Sequence, residues 1–183
     1  MSPTILSTAD ARRGTVVDSA ITVFARSGYL GTPIAAVAEH AHISPAYVFK
    51  LFPGKETLFV AALDECFVRV VDALDRGAAA SADQSGAGIL YAMGGAYAEL
   101  IRDRDLLMLQ VHAQSAAGQP DIARALRRGI ERVTTFAKSR SGASDDDVQH
   151  FIAYGQLCHL IVTTGIEDSS DAWATILTAG IRH

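Results

Sequence analysis

"GYLGTPIAAVAEHAHISPAYVFKLFPGKETLF", Gly28 to Phe59, alternates helix breakers with short apolar runs. Gly28 is placed to end a preceding helix in a left-handed cap. Thr32 reads as an N-cap with Pro33 at the first helical position, where a missing N–H matters least. "PIAAVAEHA" is then a short helix and "HIS" a turn. Ser44 caps a third helix that Pro45 opens and that stops before Pro53-Gly54. Two short helices joined by a tight turn are a helix-turn-helix candidate, a unit able to lay its second helix in a DNA major groove. The same pattern also describes a helical hairpin buried in a core. The rings Tyr47, Phe49, Phe52 and Phe59 sit among Lys50 and Lys55, which raises the question of which face meets solvent.

Upstream, from Ala9 to Arg26, the residues Val16, Val17, Ala20, Ile21, Val23 and Phe24 follow a 3.6-residue period. Gly14 costs that helix about 1 kcal/mol relative to alanine. Downstream, a long fourth helix presents Leu58, Ala62, Phe67, Val70, Val71 and Leu74 on one face. Residues 77–88, "GAAASADQSGAG", are small and read as a flexible hinge. Five more helices are expected at about 86–102, 105–117, 120–139, 145–166 and 171–181. Ser144 with Asp147 resembles a capping box, and the run Asp145 to Asp147 suits a helix N-terminus. No internal repeat and no firm strand pattern is present. The expected fold is all-α: residues 1–55 form a three-helix helix-turn-helix domain, which a long helix joins to a helical domain of residues 56–183.

Hydrophobic content of 49% and charged content of 20% suit a soluble chain with a sizeable core. Cys66 and Cys158 match no metal or redox spacing and read as buried thiols in a reducing, cytoplasmic compartment. "MSPTILSTADARR" lacks the basic start and apolar run of a leader. The charge-free stretch Val148 to Ile166 contains Gln149, His150, Gln156 and His159, so it reads as a largely buried helix and no membrane partner is expected. A pI near 5.8 argues against a general nucleic-acid coat. Within residues 1–55, however, Arg12, Arg13, Arg26, Lys50 and Lys55 outnumber Asp10, Asp18 and Glu39, so one end of an acidic chain is positive.

Phe24, Gly28-Tyr29, Thr32, Val37-Ala38, Ile43-Ser44, Phe49, Phe52, Lys55-Glu56 and Leu58 stand in one register. Through them, residues 12–63 resemble the DNA-binding domain of the TetR family of bacterial transcriptional repressors. The remaining helices agree with that family in number and length. The resemblance implies that Phe52 packs into the small domain's core, joined by Phe24 and Phe59. It implies a DNA-contacting set of Thr32, Ser44, Pro45, Ala46, Tyr47, Lys50 and Lys55. Phe49 stands where the family usually has a backbone-touching Tyr, a contact that passes to the hydroxyl of Tyr47. Lys50 would meet phosphate or a guanine edge. Lys55 would clamp the backbone beside a helix N-terminus, and Thr32 would serve as cap and phosphate donor together. His42 stands where a turn glycine is usual, which predicts slight strain. Arg12 and Arg13 read either as a basic arm or as solvated terminal arginines.

The resemblance further implies a homodimer on a palindromic double-stranded operator, paired through the last two long helices. Phe151, Ile152, Gly155 and Val162 share a broad apolar face, and Trp173, Ile176 and Leu177 form a stripe; a helix buried within a monomer is the other reading. A small-molecule effector would enter the C-terminal helices. Tyr91, Tyr97, Met108 and His112, faced by Phe136, are the candidate pocket residues, with Met93 and Gln110 on the same helices and Gly94-Gly95 leaving room. No cluster of one charge lines these faces, which points to an uncharged or weakly polar, aromatic or lipophilic effector; simple core packing is the alternative. No catalytic residue, metal ligand or cofactor is expected. Cys158 and His159 are helix neighbours that do not face each other, and Glu99 and Asp103 have no His at ligand spacing. A helical interaction module, or a constitutive regulator without effector, remains the rival function.

Overall fold

The computed structural model describes residues 8–180. The first seven residues, on which the reading of an absent leader rests, and Ile181, expected in the last helix, lie outside the described residues. The described chain is all-helical and without strands: α1 (Thr8–Gly31), α2 (Ile34–His40), α3 (Pro45–Leu51), α4 (Lys55–Ala79), α5 (Gly86–Leu100), α6 (Arg104–Ser115), α7 (Pro120–Ser141), α8 (Asp145–Thr164) and α9 (Ala172–Thr178), with a 3-10 turn at Ile166–Asp168. Among the described residues, no helix is long and apolar enough to cross a membrane.

Local chemistry sets most of these boundaries. Gly28 takes φ 68 and ψ 179. Its φ is positive as expected, but the extended ψ kinks α1 and lets it resume to Gly31 instead of capping it in the left-handed helical region. Ser44 Oγ accepts the Tyr47 N–H at 3.2 Å, and Pro45 opens α3. The capping box of α8 is complete: Asp147 N–H donates to Ser144 Oγ at 3.1 Å, and Ser144 N–H to Asp147 Oδ2 at 3.3 Å. His42, in the α2–α3 turn, has φ 55 and is the one non-glycine with positive φ among the described residues.

Two expectations change. Pro33, not Thr32, precedes the first residue of α2, and no side chain caps that helix. The supposed hinge at 77–88 is mostly a packing device. Gly77, Ala78 and Ala79 continue α4, and a Cβ on Gly77 would lie 2.7 Å from the Ala92 carbonyl oxygen and 2.8 Å from Ala96 Cβ. The missing side chain therefore permits close α4–α5 contact. The connecting turn is itself tied down: the Ser85 N–H donates to Asp83 Oδ1 at 2.8 Å, and Ser85 Oγ accepts from Gly88 at 3.1 Å.

α4 is the axis of the molecule and packs on α1, α5 and α7. A single hydrophobic cluster runs from α1 and α3 through α4 to α5–α8. At its first end Phe24, Phe52 and Phe59 are fully buried. The Phe59 ring meets Phe24 edge to face at 4.9 Å and Tyr29 at 5.4 Å. Further along α4, Leu58, Ala62, Phe67, Val70 and Leu74 are buried as expected, while Val71 is half-buried. The helix-turn-helix end and the helical body thus share one wall.

Candidate functional site

The seven residues of α3 divide cleanly. Val48 is fully buried and fastens the helix to the cluster. Ser44, Pro45, Ala46 and Lys50 are exposed, Tyr47 is half-buried, and Phe49 is 51% exposed. An exposed ring on a helix this short is an apolar contact group facing outward. The arginines do not form a free arm. Arg13 Nη1 donates to the Leu51 carbonyl at 2.7 Å, and its guanidinium lies 4.1 Å over the Phe52 ring. It therefore satisfies a carbonyl in the last turn of α3. Arg12 leans on Tyr47 at 5.6 Å from the ring centre. Lys55 Nζ lies 4.8 Å over the Tyr29 ring and donates to the Leu30 carbonyl at 3.3 Å. These contacts hold a positive charge beside the N-terminus of α4.

Thr32 departs from its expected role. It is 1% exposed, and its hydroxyl donates inward to the Val23 carbonyl at 3.4 Å. The bend at Gly28 folds this residue back onto α1, so its side chain is turned away from any phosphate.

The helical body holds a half-open cavity of about 410 Å³. Phe67, Val70 and Leu74 of α4 form one wall, and Tyr91, Gly94 and Tyr97 of α5 another. Gln110 of α6, Val133 of α7 and Phe151 of α8 complete it. Of the five expected pocket residues, Tyr91 and Tyr97 line this space, whereas Met108, His112 and Phe136 do not. The rotation of α6 explains two of these. Residues two apart on a helix point about 200° from each other, so with Gln110 facing the cavity, Met108 and His112 face elsewhere. Met108 packs on the small Ile101–Leu107–Cys158 cluster. His112 crosses to the helix-turn-helix end, where Nε2–H donates to the Ala25 carbonyl at 3.1 Å. A Cβ on Gly28 would stand 3.0 Å from His112 Nδ1, so the glycine also makes room for this ring. Phe136, one turn beyond the lining Val133, packs on the main cluster.

The polar end of the cavity joins three helices. Tyr97 Oη and His159 Nε2 are 2.5 Å apart. Gln110 Nε2 donates to the Tyr97 oxygen at 3.3 Å and to the Leu106 carbonyl at 3.2 Å. His159 is buried, and desolvation lowers its pKa from the ordinary 6.5 to about 4, so it is neutral near pH 7. Burial also raises the pKa of Tyr97. Sequence reading named Gln110 on a pocket-bearing helix but passed over His159 as a site residue; the available signal was a polar side chain on an otherwise apolar helical face. The depressed His159 value has a definite sign: protonation favours the unfolded chain. The stabilisation from burying a neutral ring is complete above pH 6.5 and is lost as pH falls toward about 4. Thermal melts followed by circular dichroism should show wild type losing stability faster than His159→Gln across that interval. Parallel curves would mean that His159 does not carry the effect.

Phe151, Ile152 and Gly155, all half-buried, also line the cavity, and the exposed Tyr154 lines it as well. Val162 is half-buried on the Ile101 cluster, and Leu177 on Ile161, Ile166 and Ala174. The outward apolar residues are Tyr154 and Leu160 of α8 with Trp173 and Ile176 of α9, the last two 53% and 75% exposed. Beyond Asp147, α8 carries no Asp, Glu, Lys or Arg, and Val148, Cys158, His159 and Ile161 are its buried residues. Cys66 is buried with its thiol pushed up to about 12, which suppresses the reactive thiolate. Among the described residues, no group of three or more His, Cys, Asp or Glu is placed to hold a metal ion.

The family model for bacterial regulatory proteins of the tetR family matches residues 16–62, the segment that builds α2, α3 and their anchorage. The HTH-type transcriptional repressor KstR of Mycolicibacterium smegmatis is 33% identical over 69 residues, which cover 38% of this chain and 34% of that protein. KstR of Mycobacterium tuberculosis is 32% identical over 71 residues, covering 39% of this chain and 32% of that protein. The match thus spans about a third of the length of these curated relatives. In overall shape, the chain is similar to the transcriptional regulator FadR of Bacillus subtilis, solved in complex with stearoyl-CoA: TM-score 0.69, 13% identity, over 91% of this chain and 94% of that one. A TetR-like transcriptional regulator from Rhodococcus sp. RHA1 gives TM-score 0.67 at 22% identity, over 94% of both chains. The motif register, the buried anchor of α3 and the matched segment agree: residues 16–62 match the tetR family of bacterial regulatory proteins, and the chain shares the fold of these solved regulators.

Proposed function

We propose that the protein is a cytoplasmic, ligand-responsive transcriptional repressor that binds a palindromic double-stranded operator as a homodimer. Residues 1–55 face the DNA, and residues 56–183 hold the effector and pair two copies. The observation that carries this reading is α3, fixed by Val48 with Ala46, Phe49 and Lys50 outward. It is flanked by Arg12 on Tyr47 and Lys55 on Tyr29. In a major groove, Lys50 reaches phosphate or a guanine edge, and the Phe49 ring suits a thymine methyl. Ser44, Pro45 and Ala46 bring the N-terminus of α3 close to the backbone, with Tyr47 as a hydroxyl donor and Lys55 as a clamp. The similarity to proteins named as transcriptional repressors supports repression.

One recognition helix reads a half-site, and two must lie about 34–36 Å apart to meet successive major-groove faces. The outward Tyr154, Leu160, Trp173 and Ile176 are the pairing surface we assign. The cavity is the effector site. A regulator of similar fold accommodates stearoyl-CoA, and a space of about 410 Å³ with mostly apolar walls suits a small lipophile. Such a ligand releases DNA only by binding the operator-free form better than the bound form.

Fluorescence anisotropy on selected operator duplexes, paired with sedimentation equilibrium, tests this reading. Wild-type affinity should fall steeply with salt. Lys55→Ala should weaken all duplexes alike, whereas Phe49→Ala and Lys50→Ala should also alter sequence preference. A Tyr47/Lys50 double alanine variant should lose at least about a hundredfold, two contacts of roughly tenfold each. Ile176→Asp should sediment as a monomer and bind the full operator no better than a half-site. Unchanged operator affinity in the double variant would remove α3 as the reading helix. A monomeric wild type at micromolar concentration would remove the dimer.

A further inference from the structure

The polar end of the cavity has a donor and acceptor count that specifies a head group. Gln110 is buried, and the Leu106 carbonyl at 3.2 Å fixes which end of its amide carries the hydrogens. Those hydrogens are engaged by Leu106 and by the Tyr97 oxygen. Tyr97 Oη and His159 Nε2, 2.5 Å apart, share one hydrogen bond whichever of the two donates it. Among the described residues, the Gln110 Oε1 atom is approached only by the Tyr97 hydroxyl at 3.5 Å, well outside the 2.5–3.0 Å of an effective O–H···O bond. Gln110 and Tyr97 both line the cavity, and what Gln110 lacks there is a donor.

The charge of the walls sharpens the specification. Among the described lining residues there is no Lys, Arg or His, and the one formal charge is Asp147. That carboxylate already accepts from the Ser144 N–H at 3.3 Å and hydroxyl at 2.6 Å. His159, behind Tyr97, is neutral near pH 7. An anionic head at this end would be buried without a cation and would meet an acceptor oxygen.

We propose that the cavity selects an uncharged lipophile bearing one hydroxyl, whose O–H donates to Gln110 Oε1, and rejects the carboxylate of the same skeleton. The proposal rests on the reading of this cavity as the effector site, and it separates this chain's ligand class from that of a neighbour solved with an acyl-CoA.

Three probes on one skeleton test it by isothermal titration: 4-biphenylmethanol, biphenyl-4-carboxylate and 4-methylbiphenyl, with 1-decanol, decanoate and decane as a second set. The alcohol should bind about tenfold or more tighter than the acid, the worth of a hydrogen-bonded head over an unpaired one. Gln110→Leu should weaken the alcohol about tenfold and leave the hydrocarbon unchanged. Gly94→Leu should abolish binding of every probe, because Gly94 lines the space with its nearest neighbour, the Phe151 ring, 3.9 Å from a built Cβ. An acid that binds as well as the alcohol overturns the head-group proposal and leaves the effector cavity standing. Equal losses for alcohol and hydrocarbon in Gln110→Leu also overturn it, since the residue would then only shape the space. Binding that survives Gly94→Leu places the probes elsewhere and overturns it too. No binding of either set by wild type removes the cavity reading itself, and the proposal with it.

Discussion

Replacing Phe59 with alanine is expected to remove about 3–5 kcal/mol of stability and, with it, a structured helix-turn-helix end. Phe59 is fully buried in the second turn of α4, where the edges and faces of Phe24 and Tyr29 converge. Truncation forfeits the transfer of the ring, opens a void among rigid neighbours, and deletes two edge-to-face contacts of about 0.5–1.5 kcal/mol each, a contribution already contained in the total. Tyr29 also supports the Lys55 ammonium, so losing its partner loosens the positive charge beside the N-terminus of α4 as well. In urea titrations followed by circular dichroism, the midpoint should fall while the slope holds. Operator affinity should drop in proportion to the fraction unfolded. A loss below about 1 kcal/mol would mean that the site collapses onto the void, which the close packing of the cluster argues against.

Gly77→Val is expected to be as damaging by the opposite route. The obstacle is the Ala92 carbonyl oxygen, 2.7 Å from a built Cβ, with Met93 Cα at 3.0 Å. Backbone on a neighbouring helix does not swing aside as a side chain does, so α4 and α5 must separate. Overpacking of well-packed interiors costs about 1–3 kcal/mol, and a backbone obstacle takes this substitution to the upper end or beyond. Gly14→Ala is the control. There, inside α1, a built Cβ meets nothing within 4 Å. Differential scanning calorimetry should place Gly14→Ala within a few degrees of wild type and Gly77→Val far below it. Similar melting temperatures for the two would show that α5 yields at Ala92.

Helix existence and order were legible because the breaks are chemically explicit. Ser44-Pro45, Pro53-Gly54 and the Ser144–Asp147 pair each signal a boundary that local hydrogen bonding alone enforces. The assignment of faces was less legible. Periodicity reports that α8 has an apolar side, but sequence does not say which of its apolar residues meet their own protomer; Phe151 and Ile152 went inward, Leu160 outward. The same limit moved the pocket residues on α6. Met108, Gln110 and His112 are equal candidates by sequence, yet the rotation that buries Leu106 and Leu109 turns Gln110, and not the other two, toward the cavity. Thr32 resembled a cap because the Thr-Pro pair is a common one; the bend at Gly28, a tertiary matter, took its hydroxyl elsewhere. Glycines at 77 and 88 read alike as loop-formers, although one is a point of helix contact. The aromatic sorting was legible in full for Phe24, Phe52 and Phe59, since rings spaced to one side of three short helices have one interior to share.

The sharing of α4 between the two ends bears on how such a chain can be recombined. An exchange cut in the loop at Pro53-Gly54 looks natural, because no helix is severed there. It would nevertheless leave Phe24, Val48 and Phe52 without Leu58, Phe59 and Ala62, the surface they close against. A transplantable reading head for this protein extends past Leu63, and its new host must accept the outward side of α4 as part of its own interior.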